Sequence, residues 1–396
     1  MNLKATTLAA EVISLGCRLN LSESESLRGL LAGAEDLVVV NSCAVTAEAV
    51  RQTRQAIRRA RKARPDARLL VTGCAAEIER EMLSAMPEVD GLVSNLTKLD
   101  PRQWNVAPRT EPVRQHTRAF VPVQTGCDHA CTFCVIPQGR GRSVSMTIPT
   151  VQSRIEGLLR QGAAEVVLTG VDLTSWGHDL PGALGLGALV AAILQAFPQL
   201  DRLRLSSVDG IEIDPELFEL IASEPRLLPY LHLSLQHGDD LILKRMKRRH
   251  LRHDALQLVE NLRKRRPDLT IGADLIAGFP TEDEAAHQSN LSIIRDLQIV
   301  HGHIFPYSPR PGTPAARMPQ VAPATTKARA AELRAAVAEI RTAWLAGLVG
   351  KPLQVLAERD GTGHAENFAR VALSPGTKPG SIVKITPTRI VEGLLA

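Results

Sequence analysis

The sequence predicts an α/β protein in three parts: an N-terminal α/β unit over residues 1–105, a partial parallel (β/α)6 barrel over 113–347, and a small C-terminal β-barrel over 348–396. Three observations predict this. In the middle of the chain, short strand-like runs alternate with helical stretches, the pattern of a parallel barrel. Before that, three apolar runs each lead into a cysteine. Beyond Gly350 the chain breaks into short segments between Gly- and Pro-containing turns. A chain of 396 residues also exceeds one ordinary core and suits two or three domains.

In the first part, EVISLG (11–16), LVVV (37–40) and RLLVTG (68–73) read as buried strands, with a helix expected from Ala47 to Arg64. Cys17, Cys43 and Cys74 follow these strands. The carboxyl ends of parallel strands are where ligands gather, so the three thiols are expected to converge. Pro101, Pro108 and Pro112 mark a linker between Thr97 and Thr117.

The barrel strands are expected at AFVPVQ (119–124), EVVLTG (165–170), RLRLSS (202–207), LHLSLQ (231–236), TIGADLIAG (270–278) and VHGHIF (300–305). Segments 149–161, 214–223, 239–247 and 283–297 carry helix starts or helical spacing, and an Ala-rich helix follows at 324–347. KPLQVLAERDG, HAENFARVALS and GSIVKITPTRI read as the strands of the final barrel.

Apolar residues make up 44% and charged residues 22% of the chain, a soluble globular balance. No apolar run reaches the ~18 residues of a membrane span, which predicts a cytoplasmic protein with no membrane partner. The net charge of +5 suits a polyanionic partner. Arg51, Arg54, Arg58 and Arg61 recur at helical spacing, a candidate phosphate-facing stripe that reads equally as a solvated helix face. Aromatic residues are only 3%, so recognition of RNA would depend on phosphates and shape more than on base stacking.

Six cysteines in a reducing compartment argue against disulfides. The sharpest motif is Cys127-Asp128-His129-Ala130-Cys131-Thr132-Phe133-Cys134, a Cys-x3-Cys-x2-Cys loop directly after the first barrel strand. Three thiolates on one short loop can hold three irons of a cubane and leave the fourth open. A structural zinc site would need a fourth ligand such as His129, and structural zinc usually takes paired Cys-x2–4-Cys spacings.

This loop, so placed, resembles the radical S-adenosylmethionine superfamily. The resemblance implies that a [4Fe-4S] cluster on Cys127, Cys131 and Cys134 binds S-adenosylmethionine and cleaves it to a 5′-deoxyadenosyl radical. It also implies cofactor contacts at the ends of the barrel strands, from Gly170, Ser206, Ser234, Gln236, Asp274 and Gly278, with Phe279 adjoining. Taken with Cys17, Cys43 and Cys74, which would carry a second [4Fe-4S] cluster, the arrangement is similar to the methylthiotransferase family. Members of that family have an N-terminal domain with a second cluster, a radical barrel and a C-terminal RNA-binding domain called TRAM.

The family resemblance implies a transferase that uses S-adenosylmethionine twice, for a methyl group and for a radical, and joins a methylthio group to a substrate carbon. Leu15-Gly16-Cys17-Arg18-Leu19-Asn20 resembles the branch that acts on C2 of N6-threonylcarbamoyladenosine at position 37 of transfer RNA, as does LKRMKRRH at 243–250 for the transfer-RNA branches generally. An isopentenyladenosine-37 branch and a branch modifying a ribosomal-protein aspartate are the enzymatic alternatives. A metal-stabilised RNA-binding protein is the non-enzymatic one. The implied partners are transfer RNA and an electron donor such as flavodoxin or ferredoxin.

Overall fold

The structure, a computed structural model, describes residues 8–106 and 116–396. The expected linker prolines Pro108 and Pro112 lie outside the described residues.

The N-terminal unit runs β1 (Glu11–Ser14), α1 (Arg18–Leu30), β2 (Leu37–Ser42), α2 (Ala47–Ala63), β3 (Arg68–Gly73) and β4 (Gly91–Leu92). Its strands are parallel and lie in sequence order, with Ser14 beside Asn41 and Ser42 beside Gly73. All of β2 is buried, as expected for a continuous Val-rich central strand. Helix α2 starts at Thr46, whose hydroxyl accepts from the Ala49 N–H, and buries only Thr53, Ile57 and Ala60.

Six further parallel strands follow: β5 (Arg118–Pro122), β6 (Glu165–Thr169), β7 (Leu203–Leu205), β8 (Tyr230–Gln236), β9 (Thr270–Ala277) and β10 (Ile299–Pro306). They pair as β5-β6-β7 and β8-β9-β10, and a single parallel bridge between Val208 and Leu233 joins the two sheets into one curved wall. Helices α3 (Ile148–Arg160), α4 (Leu186–Ala196), α5 (Pro215–Ser223), α6 (Arg252–Arg265), α7 (Glu284–Asp296) and α8 (Pro323–Ala346) cover its outside. Two of these, α4 and α6, fall outside the segments singled out from sequence though within the expected βα alternation: LGALVAAILQA is apolar on nearly every face, whereas Ala255, Leu258, Val259 and Leu262 of α6 recur at helical spacing and meet the core. Helix α1 packs on the β5 edge, and the Ser22 hydroxyl donates to the Phe120 carbonyl at 2.8 Å. The open edge of the wall is thus met by the N-terminal unit.

The C-terminal sheet holds β11 (Leu353–Ala357), β12 (Thr362–Ala365), β13 (Arg370–Ala372), β14 (Ile382–Ile385), β15 (Ile390–Val391) and β16 (Leu394–Leu395), in the order β14-β11-β12-β13-β16-β15. HAENFARVALS, read from sequence as one strand, is a turn between two. Phe368 has φ +71°, and the Ala365 and Ala369 backbones bond across it. The sheet docks under the strand-start end of the barrel. There Arg202 and Arg204, both paired with buried Glu165, donate to carbonyls of Gln354, His364, Ala365 and Glu366.

A candidate metal and cofactor site between two cysteine sets

The loop carrying Cys127, Cys131 and Cys134 is held from several sides. A Cβ on Gly126, whose φ is +71°, would run into the Arg142 carbonyl, so the entry to the loop requires glycine. Within the loop, the Thr132 N–H and hydroxyl donate to Met246 and Arg245 carbonyls, and the Thr132 carbonyl accepts from Ala315.

Hydrogen-bond donors face the three sulfurs. The His129 N–H lies 3.4 Å from Cys127 Sγ, the Ile136 N–H 3.4 Å from Cys134 Sγ, and Arg248 Nη1 3.8 Å from Cys131 Sγ. Donors aimed at sulfur tune a thiolate-held cluster, and the donor set fits iron–sulfur ligation. Burial pushes the free Cys127 thiol up to about 12 and Cys134 up to about 11. Each therefore keeps its proton at neutral pH until a metal displaces it.

His129 does not behave as a fourth metal ligand. Its Nε2 is 2.6 Å from Asp172 and 3.7 Å from Glu212, and these carboxylates raise its pKa to about 10. Cys127, His129 and Asp172 are close enough to share an ion, but the two carboxylates favour the protonated imidazole, which weakens His129 as a ligand. Sequence reasoning missed Asp172 and Glu212, whose pairing with His129 depends on loops far apart in the chain.

The second set converges as expected. Cys17 precedes α1, Cys43 follows β2, and Cys74 opens the short helix Cys74–Ile78 after β3. A Cβ on Gly16 would come within 2.7 Å of the Cys43 Cβ, and a Cβ on Gly73, at φ +90°, would strike the Ser42 backbone. Glycine at both positions lets the three strand ends close on one another. Burial raises the Cys43 thiol to about 11, with Cys17 and Cys74 adding to the rise, and raises Cys74 as well.

The two sets adjoin. A Cβ on Gly139, a few residues past the first loop, would sit 3.2 Å from the Cys74 Cβ. Asn95 spans the junction, donating to the Gly139 carbonyl at 2.6 Å and lying 3.9 Å from Cys74 Sγ.

The strand-end residues divide into two groups. Ser206 leaves its hydroxyl buried without a partner among the described residues, Ser234 gives its carbonyl to Arg248 at 2.8 Å, and Gln236 ends β8 at φ +70°. The glycines have local reasons. Gly170 gives room to Gln124, whose Oε1 accepts from the Val171 and Asp172 N–H groups at 3.0 Å, and Gly278 gives room to Thr326 while its N–H donates to Glu282. Phe279 is buried edge-on against Phe133 and Tyr307.

Asp274 differs from expectation. Its Oδ1 accepts from His232 at 3.1 Å and His303 at 3.0 Å. Burial would raise its pKa, but these two bonds hold it well below the usual carboxylate range. Its carboxylate already belongs to a relay inside the barrel, in which Tyr230 Oη meets His232 Nδ1 at 2.8 Å. The sequence placed Asp274 on the right strand but did not disclose the two imidazoles that occupy it.

The Arg51–Arg61 stripe is partly engaged. Arg51 pairs with Glu48 and Arg58 with Glu88, while Arg61 binds Asp90 and the carbonyls of Pro65, Ala67 and Glu88. Arg54 has no such partner among the described residues.

Residues 121–289 match the model of the radical SAM superfamily, and residues 9–94 match that of uncharacterized protein family UPF0004. The chain is 41% identical to the threonylcarbamoyladenosine tRNA methylthiotransferase MtaB of Rickettsia prowazekii, across 98% of this chain and 97% of that one. It is 33% identical to a tRNA-2-methylthio-N(6)-dimethylallyladenosine synthase of Cereibacter sphaeroides, across 94% of each. Among solved structures, the radical S-adenosylmethionine methyltransferase TsrM of Kitasatospora setae superposes with a TM-score of 0.52 at 16% identity, covering 73% of this chain and 66% of that one. This last likeness concerns the fold.

Proposed function

The chain belongs to the methylthiotransferase family of radical S-adenosylmethionine enzymes, and from that premise we infer that it methylthiolates C2 of N6-threonylcarbamoyladenosine at position 37 of transfer RNA. The observation that carries the reading is the meeting of two cysteine triads at Gly139 and Cys74, on a chain related end to end to an enzyme named for that reaction.

In this reading Cys127, Cys131 and Cys134 hold one [4Fe-4S] cluster, and Cys17, Cys43 and Cys74 hold a second. The first cluster, when bound, supplies the electron that cleaves S-adenosylmethionine. The chain's own residues bind and orient. Arg248 and the backbone N–H groups of His129 and Ile136 stabilise thiolate charge, and the His129 ring lies beside the Asp172 and Glu212 carboxylates. Ser206, Ser234 and Gln236, with the backbone at Gly170 and Gly278, form the strand-end rim that would receive the cofactor.

The six-stranded C-terminal sheet would be a TRAM-like RNA-binding domain over 348–396, following a radical barrel over 113–347 and a methylthiotransferase unit over 1–105. Flavodoxin or ferredoxin would supply the electron. No helix among the described residues is long and apolar enough to cross a membrane, in keeping with a cytoplasmic enzyme.

The test is mass spectrometry of transfer-RNA nucleosides from the source organism with and without the gene. Loss of 2-methylthio-N6-threonylcarbamoyladenosine, with its unthiolated parent accumulating, supports the reading. Unchanged nucleosides reject it and favour a protein substrate, while loss of the isopentenyl counterpart moves the substrate to the sister branch.

A further inference from the structure

Arg18 follows Cys17 directly and begins α1, yet its side chain reaches out of the N-terminal unit to Phe368 of the C-terminal sheet. Its guanidinium lies 5.7 Å from the centroid of the Phe368 ring. That ring stacks on Tyr230 at 4.6 Å and also lies under Arg118 and Arg204.

Every carboxylate near Arg18 is already engaged by another base. Glu165 pairs with Arg202 and Arg204 at 2.9 and 2.8 Å, Glu358 with Arg118 at 2.9 Å, and Asp274 with His232 and His303. Four guanidiniums (Arg18, Arg118, Arg202 and Arg204) therefore share three carboxylates. Among the described residues the Arg18 guanidinium has neither an ion-pair nor a hydrogen-bond partner, only the face of Phe368.

Arg18 is half-buried, and a guanidinium whose donors meet no protein acceptor is open to an anionic partner that can replace its water. Its fork fits a carboxylate through two parallel N–H···O bonds. We propose that Arg18 is the receptor for the carboxylate of the substrate's threonyl group and so selects the carboxylate-bearing nucleoside. This rests on the substrate reading above and deepens it.

The placement suits the reaction. One substrate base must present C2 toward the Cys17 set while its N6 substituent, ending in the carboxylate, extends away from C2 across the ring and a ureido link. An anion receptor is then needed about a side chain's length from Cys17, and Arg18 is the next residue in the chain. Phe368 supports the guanidinium from below, as an aromatic face supports a desolvated cation. An uncharged N6 substituent would displace water from the guanidinium and leave its donors unanswered, so the same group that attracts one substrate discriminates against the other.

The experiment uses the cluster-loaded enzyme and two anticodon stem-loops, one bearing N6-threonylcarbamoyladenosine and one with its threonyl carboxylate converted to the primary amide. Equilibrium binding by fluorescence anisotropy and kcat/KM for methylthiolation are both read, with iron content and circular dichroism confirming each preparation. The wild type is expected to prefer the carboxylate by ~10–100-fold, the range of charge-assisted hydrogen bonds. Arg18→Gln should bring that ratio close to one by weakening the carboxylate form alone, and Arg18→Lys should keep part of it, since charge remains without the fork.

A wild type that methylthiolates both stem-loops equally well overturns the inference and leaves the substrate reading intact. Equal weakening of both by Arg18→Gln overturns it too, because that is what a purely structural stack on Phe368 predicts. A wild type that modifies neither stem-loop overturns the substrate reading and this inference together. The wild-type ratio needs no variant, so a misfolded Arg18→Gln leaves the test decisive.

Discussion

Glu23 of helix α1 and Arg140, a few residues beyond the first cysteine loop, form a buried bidentate ion pair at 2.8 and 2.9 Å. The same carboxylate accepts from Lys98 Nζ at 2.6 Å, and Arg140 also reaches Asn20 Oδ1. Burial would raise the Glu23 pKa, but the two cations hold it low. One carboxylate therefore ties the helix after Cys17 to the segment that carries Gly139 against Cys74.

Replacing Glu23 with Gln leaves two buried cations with no neutralising partner. Removing one member of a buried pair costs about 3–5 kcal/mol, far more than an exposed pair is worth. Urea denaturation should show that loss for Glu23→Gln, against less than about 1 kcal/mol for Glu156→Gln, whose partner Arg160 is exposed. Equal, small losses would mean that water reaches Arg140 and the junction is not tight.

Each cysteine set should account for about half of the iron in the reconstituted protein. Cys127→Ala, Cys131→Ala or Cys134→Ala is expected to abolish cleavage of S-adenosylmethionine to 5′-deoxyadenosine. Cys17→Ala, Cys43→Ala or Cys74→Ala is expected to preserve that cleavage and stop methylthio transfer. Chromatography of both products distinguishes the cases, and equal loss of both activities across the six variants would reject the division of labour.

The two cysteine sets were legible in sequence because their placement depends on local order: a strand, then a cysteine, three times over, and three cysteines on one loop. The glycines preceding Cys17 and Cys74 carry the same local logic, since positive φ at Gly16 and Gly73 lets strand ends approach. What stayed hidden depends on partners distant in the chain. Asp274 reads from sequence as a strand-end cofactor contact, whereas His232 and His303 both bond its carboxylate, and Phe368 reads as a strand residue although it is the turn that carries an aromatic face to Arg18, Arg118 and Arg204. Arg18 was visible as a neighbour of Cys17, but only the structure shows where its guanidinium goes.

His301 is expected to set part of the acid sensitivity. Burial, then the charges of Arg341, His232, His364 and His303, push its pKa from 6.5 down to about 3, and its Nε2 is buried without a hydrogen-bond partner among the described residues. Between these values the unfolded chain takes up a proton that the folded chain refuses, so stability falls as pH falls below about 6.5. His301→Phe, among Tyr230, Trp344 and Phe368, should flatten that limb by up to about 1.4 kcal/mol per pH unit. Urea curves at stepped pH that run parallel for wild type and variant would show that another group is responsible.

The basic face of α2 divides into structural and free charges, and the division makes opposite predictions for two arginines two turns apart on one face. Arg61 is fixed by Asp90 and three carbonyls, so Arg61→Ala should lower stability by about 0.5–1.5 kcal/mol, since water can reach most of the acceptors it leaves. Arg54, without a partner among the described residues, should affect folding little. If α2 meets phosphates, Arg54→Ala reduces the slope of log K for transfer-RNA binding against log salt by about 0.7–0.9, the contribution of one phosphate contact. Titrations at several salt concentrations measure that slope directly. An unchanged slope for Arg54→Ala would identify the stripe as a solvated face, and the phosphate contacts would then have to be sought on the C-terminal sheet.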